Sequence, residues 1–247
     1  MNKIEELVGR LCPDGVEYKK LGELGTLTRG KRFVHKDAAE DGLPCIHYGE
    51  LYTYYGVWAT KVKSHIRLEL APKLRYAKQN DVVIVGAGES VEDIGIAVAW
   101  LGKEDVAVHD ACYIFSSELN PKYVSYFMRT ADYHRQIKRY VSSGKISSIS
   151  AKGVGQACIP VPPMEIQEEI VRVLDSFAEL EAELEAELEA ELKARKTQYA
   201  YYRDKLLDFS ERGGCDGCHC VIFALMFVQA VRRHGKNPPI MEVVFLG

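Results

Sequence analysis

The sequence predicts an α+β (mixed α/β) globular domain followed by one long α-helix that pairs as an antiparallel coiled coil. Three observations carry this. Residues 178–192 repeat the unit Leu-Glu-Ala-Glu, and no Gly or Pro interrupts residues 164–212, so strong helix formers run unbroken. Upstream, short apolar runs bounded by Gly, Pro, Asn and Asp alternate with helical patterns, as expected where strands and helices share one core. Between the two parts stands CIPVPP (158–163), whose three prolines close the domain.

The helix needs a partner. At about 1.5 Å per residue it would reach ~70 Å. At about 100° per residue, Ile170, Phe177, Leu180, Leu184, Leu188, Leu192, Tyr199, Tyr202, Leu206 and Phe209 fall within a sector of about 120°. A solvated single helix has no use for such a stripe. Seven Glu (Glu179, Glu181, Glu183, Glu185, Glu187, Glu189, Glu191) precede Lys193, Arg195, Lys196, Arg203 and Lys205. A parallel pair would set acid against acid, whereas an antiparallel pair sets each acidic half against a basic half. The sequence supplies one such helix, so the pair is expected between two chains.

Within the domain, residues 4–11 form an amphipathic helix candidate, and Pro13-Asp14-Gly15 a turn. Val16 and Tyr18 alternate with polar residues, and Leu21 and Leu24 begin another apolar element. Arg29-Gly30-Lys31-Arg32 makes a basic turn followed by His35 and Lys36. Residues 46–58 are rich in aromatics. DVVIVGAG (81–88) reads as a buried strand entering a Gly turn, IGIAVAW (94–100) as its hairpin partner, and VAVHDACYIF (106–115) as a further strand. Pro121 opens a helix over 121–141 at a favoured first position. A Ser/Gly loop spans 142–150.

Charge and cysteine usage bound the function. The net charge of −3 averages unlike parts. Residues 1–164 hold 22 Lys and Arg against 19 Asp and Glu, while residues 165–192 hold 11 acidic residues and the single base Arg172. The acidity belongs to the helix, which leaves the domain eligible to bind nucleic acid. Cys12, Cys45, Cys112 and Cys158 are scattered singly, as reduced thiols are. The polar start and the lack of a spanning apolar run lead us to expect a cytoplasmic protein.

CPDGVEYKKLGELGTLTRGKRF, DVVIVGAGES, HDACYIF, NPKYVSYFM, SGKISSIS and IPVPPMEIQEEIVRVLDSF, in that order, resemble one target-recognition half of the specificity subunit of type I restriction–modification enzymes. The Leu-Glu-Ala-Glu repeat resembles the four-residue spacer repeats of that family's central helix. The likeness covers about residues 12–210, and its specificity lies in the element order and in IPVPP-x-x-x-Q leading into a long helix. It implies a mixed α/β recognition domain over 1–162 and a dimerisation and spacer helix over 163–210. It also implies a non-catalytic task, reading double-stranded DNA for separate methyltransferase and nuclease subunits. S-adenosylmethionine, ATP and Mg are then expected on those partners and no cofactor on this chain. The family subunit has two recognition domains and two helices. This chain has one of each, then a dissimilar tail (211–247) expected to be poorly structured, so it looks like a half subunit acting as an antiparallel homodimer on a bipartite inverted-repeat site.

Motifs for catalysis are weak. Gly86-Ala87-Gly88 lacks the third glycine and helix start of a phosphate loop and reads as a tight turn. Asn237-Pro238-Pro239-Ile240 lacks the aromatic that would stack on a flipped base. Cys215, Cys218, His219 and Cys220 lack a second spaced ligand pair, so no metal is expected. DNA readout is better supported, because it needs bases and small polar side chains on rigidly held loops. The candidates are Arg29, Lys31, Arg32, His35 and Lys36 on one loop, Glu89 and Ser90 on the Gly turn, and Ser143, Lys145, Ser147 and Ser148 on the Ser/Gly loop. Tyr48 and Trp58 read as core. Tyr52, Tyr54 and Tyr55 stay open between core and DNA. Phe177, Leu180, Leu184, Leu188, Leu192, Tyr199, Tyr202 and Leu206 are assigned to the dimer. The competing class is a coiled-coil scaffold or adaptor whose globular head binds protein.

Overall fold

A computed structural model describes residues 3–208, and the tail with its Cys-rich segment and Asn-Pro-Pro lies outside them. The chain divides into two compact units, with the boundary between Ala178 and Glu179. Among the described residues, no helix is long and apolar enough to cross a membrane.

The first unit is built on two five-stranded sheets. Val82–Val85 is buried at all four positions, as its unbroken apolar run requires of a strand covered on both faces. It pairs antiparallel with Cys112–Ser117 on one side and Ala97–Trp100 on the other. Gly25–Arg29 and Trp58–Ala59 form the edges of this sheet, the latter parallel to its neighbour. The second sheet takes the order Ala38–Ala39, Ser64–Ile66, Leu43–Ile46, Val106–Val108, Tyr76–Ala77. The hairpin expected from 81–88 and 94–100 is present, with Ala97 opposite Ile84.

Two expected elements are divided. The strand read over 106–115 is two strands in different sheets, Val106–Val108 and Cys112–Ser117. Between them the chain turns at His109-Asp110-Ala111, where Cys112 N–H donates to the His109 carbonyl at 2.9 Å. The helix read over 121–141 is also two, Pro121–Phe127 and Ala131–Lys138. Thr130 has extended backbone and its hydroxyl accepts from Tyr133 N–H at 3.2 Å, so a mid-sequence threonine acts as a new N-cap. The Ser/Gly stretch carries a hairpin, Val141–Ser142 with Ser147–Ile149.

The helix Met164–Leu207 begins inside the first unit, where Ile166, Gln167, Glu169 and Val171 are buried. Its root is held by polar groups. The Gln167 amide donates to the Pro162 carbonyl at 2.8 Å and accepts from Asn120 N–H at 2.9 Å, which explains the glutamine that follows the prolines. Each backbone group left unpaired there would cost about 1–3 kcal/mol. Asp175 accepts from Lys122 at 2.7 Å and from the Tyr126 hydroxyl at 2.8 Å. Glu169 pairs with Lys3 of the N-terminal helix Lys3–Leu11 at 2.8 Å and with Arg172 at 2.6 Å. In the second unit the same helix presents Leu180, Leu184, Leu188 and Leu192 at 55–60% exposure and Tyr199 at 68%.

Hydrogen bonds from Arg172 and Lys3 hold the Glu169 carboxyl at about 2, from an ordinary 4.5. A carboxyl depressed on folding stabilises fully above its unfolded value and loses that contribution as pH falls through the folded one. Glu169→Gln is therefore expected to lower the thermal midpoint at neutral pH, with the difference from the parent shrinking between about pH 4.5 and about pH 2. Thermal melts over a pH series check it, and a difference constant with pH contradicts it.

Candidate nucleic-acid interface

The basic turn is built on the end of Gly25–Arg29. Gly30 N–H donates to the Cys112 carbonyl and Lys31 N–H to the Val108 carbonyl, both at 2.9 Å. A Cβ on Gly30 would lie 2.2 Å from the His109 carbonyl oxygen, so only glycine fits this approach. His109 Nδ1 accepts from Ala111 N–H at 3.1 Å, which leaves its Nε2–H to donate to the Phe33 carbonyl at 3.1 Å. Burial, followed by the neighbouring His47, lowers the basicity of His109 against the pull of Asp110. Its ring lies 5.0 Å from Phe33 and 4.4 Å from His47.

Beyond Phe33 the loop is closed by Asp37. Its carboxylate accepts from Val34 N–H at 2.9 Å and from Arg67, and these hold it below the usual carboxylate range, the Val34 bond first. Lys31, Arg32 and Lys36 are exposed on this frame. The side chain of His35 lies outside the described set. Arg29 is exposed, and its Nε donates to the Asp110 carbonyl at 2.6 Å, while Arg75 donates to the Arg29 carbonyl at 2.6 Å.

The Gly stretch read as a tight turn is instead a short strand, Ala87–Gly88, paired to the Ser hairpin in a three-stranded sheet, and the turn begins only after it. This Gly turn and the Ser hairpin join the same corner. Gly86 and Ala87 N–H both donate to the Ala111 carbonyl, at 2.8 and 2.9 Å. Ser147 and Ser148 pair with Gly88 and Ala87, and Ile149 N–H donates to the Gly86 carbonyl at 2.9 Å. Gly86 is glycine because a Cβ would lie 2.4 Å from the Tyr113 ring, whose hydroxyl donates to the Ile149 carbonyl at 2.9 Å. A cleft of about 230 Å³ results, lined by Arg29, Gly86, Asp110, Ala111, Ser148 and Ser150 among others. Three of the sequence-selected loops thus meet at one place, joined by His109, Asp110 and Ala111.

The individual candidates differ in availability. Ser143 and Lys145 are exposed at the hairpin tip, and Ser147 turns inward at 2% exposure. Among the described residues, no carboxylate pairs with Lys31, Arg32, Lys36 or Lys145. Glu89 is exposed, whereas the Ser90 hydroxyl is engaged with the Glu92 carboxylate and accepts from Glu92 N–H at 3.2 Å. Tyr52 is half-buried, and burial raises its hydroxyl above the usual range. Tyr54 is exposed, edge-on to Tyr55 at 5.0 Å and 4.9 Å from the Lys63 ammonium. Tyr55 belongs to the core. Trp58, read as core, is 43% exposed with the Lys122 ammonium 4.2 Å from its ring. Sequence reasoning missed His109, Asp110 and Arg75. The usable signal was the polar His-Asp pair between two apolar runs.

Residues 13–194 match the family described as the type I restriction modification DNA specificity domain. A Mycoplasma pneumoniae protein assigned as a type I specificity subunit is 40% identical over 104 residues, covering 38% of this chain and 30% of that protein. A Haemophilus influenzae protein assigned as a type I restriction enzyme specificity subunit is 24% identical over 196 residues, covering 77% of this chain and 48% of that protein. This chain therefore spans less than half the length of either relative. A solved structure concerned with complex assembly and conformational transition of the type I R-M system shares the fold, with a TM-score of 0.56 and 18% identity over 76% of this chain and 45% of that one.

Arg32→Ala and Lys145→Ala remove cations with no acidic partner among the described residues, so both are expected to leave the thermal midpoint unchanged. Each is expected to weaken binding to random duplex DNA and to lower the slope of log affinity against log salt by roughly one unit. Titrations at several salt concentrations check this. Unchanged slopes in both variants would remove these loops from the interface.

Proposed function

This chain belongs to the type I restriction–modification DNA specificity family, and we propose that it reads DNA sequence for separate methyltransferase and nuclease subunits. The observation that carries the reading is the meeting of the basic loop, the Gly turn and the Ser hairpin at one cleft. Exposed cations fix the phosphates, and small polar groups and backbone around the cleft read base edges. In this proposal the chain holds no catalytic group, and S-adenosylmethionine, ATP and Mg belong to the partners.

The reader acts as an antiparallel homodimer. Support comes from the exposed stripe of Phe177, Leu180, Leu184, Leu188, Leu192 and Tyr199, with Tyr202 and Leu206 at 36% and 38% exposure. Burying a leucine contributes about 1.5–3 kcal/mol per side chain. Charge supports the orientation, since the Arg195–Glu191 pair within the helix is exposed at 3.4 Å, and such pairs hold little energy against exchange. A two-fold axis then imposes two inverted copies of one half-site.

Replacing both Leu184 and Leu188 with Asp is expected to yield monomers in analytical ultracentrifugation. A dimer that persists would place the interface elsewhere.

The repeat also sets a distance. One Leu-Glu-Ala-Glu unit adds about 6 Å of rise and about 40° of rotation, matched by one to two base pairs of DNA at about 3.4 Å each. Deleting residues 185–188 leaves the Leu and Glu pattern in register. The deletion variant is expected to dimerise and to read the same half-sites across a spacer shorter by about one or two base pairs. Sequencing its modified sites decides the matter, and an unchanged spacer or altered half-sites would contradict it.

A further inference from the structure

Ile146 is an apolar residue in a polar place. It lies at the tip between Val141–Ser142 and Ser147–Ile149 and is 62% exposed, and Ser142, Ser143, Gly144 and Lys145 around it are all exposed. Side chains of a strand alternate between faces, so two residues three apart point to opposite sides. Ile149 is the inward one, at 3% exposure. It is locked there, because Gly153 packs so closely that a Cβ on it would lie 2.9 Å from Ile149 Cγ1. The pairing of Ser147 and Ser148 with Gly88 and Ala87 fixes the register. Ile146, immediately before this strand, is the outward residue of the two. Ile146 belongs to neither apolar core cluster among the described residues, so its apolar character is not spent on the core.

Resting on the DNA-reading function above, we propose that Ile146 is a specificity-determining residue that contacts the methyl group of a thymine in the major groove. The chemistry fits in three respects. The tip projects between Val141–Ser142 and Ser147–Ile149, two strands of a three-stranded sheet completed by Ala87–Gly88. In the major groove the thymine methyl is the one apolar feature of a base edge that such a tip can meet. Lys145, adjacent and without an acidic partner among the described residues, supplies the phosphate contact that sets the register of its neighbour. The hairpin is rooted on the Gly turn that lines the cleft with Arg29, which places the tip on an element shared with the other reading loops.

The full-length chain, Ile146→Ala and Lys145→Ala are each used to select duplexes from a randomised library, and the selected sites are remade with uracil in place of thymine at each position in turn. The parent is expected to lose about fourfold in affinity at one thymine of the half-site, the worth of one buried methyl group. Ile146→Ala is expected to show no preference and no uracil effect at that position while keeping all others. Lys145→Ala is expected to bind more weakly with an unchanged preference. Identical preferences for Ile146→Ala and the parent would overturn the inference, as would a loss spread evenly over all positions. A parent that selects no sequence and binds without salt dependence would overturn the DNA-reading function itself, and the inference with it.

Discussion

The candidate loops are held by hydrogen bonds, the Ser hairpin joining through Gly86–Gly88, around one turn, His109-Asp110-Ala111, where the chain leaves one sheet for the other. Its carbonyls accept from Arg29, Gly86 and Ala87, and the His109 imidazole bridges Ala111 N–H to the Phe33 carbonyl. A turn at an exposed sheet end would leave these groups to water. Here they are the hydrogen-bonding partners of neighbouring loops, so the loops' positions follow from the sheet topology rather than from their own sequences. The two close glycine approaches, Gly30 to the His109 carbonyl and Gly86 to the Tyr113 ring, are the steric side of the same arrangement. Loops fixed in this way can hold cationic and small polar side chains at set positions without enclosing a deep pocket, which suits a duplex better than a small ligand.

The helix obeys two different rules along its length. Its first turns are fixed to the domain by groups that satisfy buried backbone and charge, namely Gln167, Glu169 and Asp175. From Leu180 on, its large apolar residues are exposed and its first half is flanked by glutamates. An apolar stripe with no cover among the described residues is the physical reason for proposing a second copy. The separation of acid and base along the helix is the reason for proposing the antiparallel sense.

Much of this was legible in the sequence. The buried strand 82–85 and its hairpin partner followed from apolar runs bounded by turn residues, and the helix from its uninterrupted repeat. The motif glutamine following the prolines was visible, but its task at Pro162 and Asn120 was not, because those partners are set by tertiary packing. Local pattern also failed at His109 and Thr130, where a short polar interruption ended an element that the apolar period would have continued. Trp58 failed for a related reason. Its strand lies at a sheet edge, and edge position cannot be read from composition. Within the Ser/Gly loop, the residue types did not tell that Ser147 turns inward while Ser148 lines the cleft, a choice that depends on strand register.

The central claim is that one recognition domain, doubled by its helix, reads an inverted repeat. The most direct measurement is to express this chain with its neighbouring methyltransferase subunit and map the modified adenines across a genome. The account predicts one site class, two inverted copies of a single half-site separated by a fixed unread gap. A modified site that is asymmetric, or that consists of a single uninterrupted sequence, would contradict it.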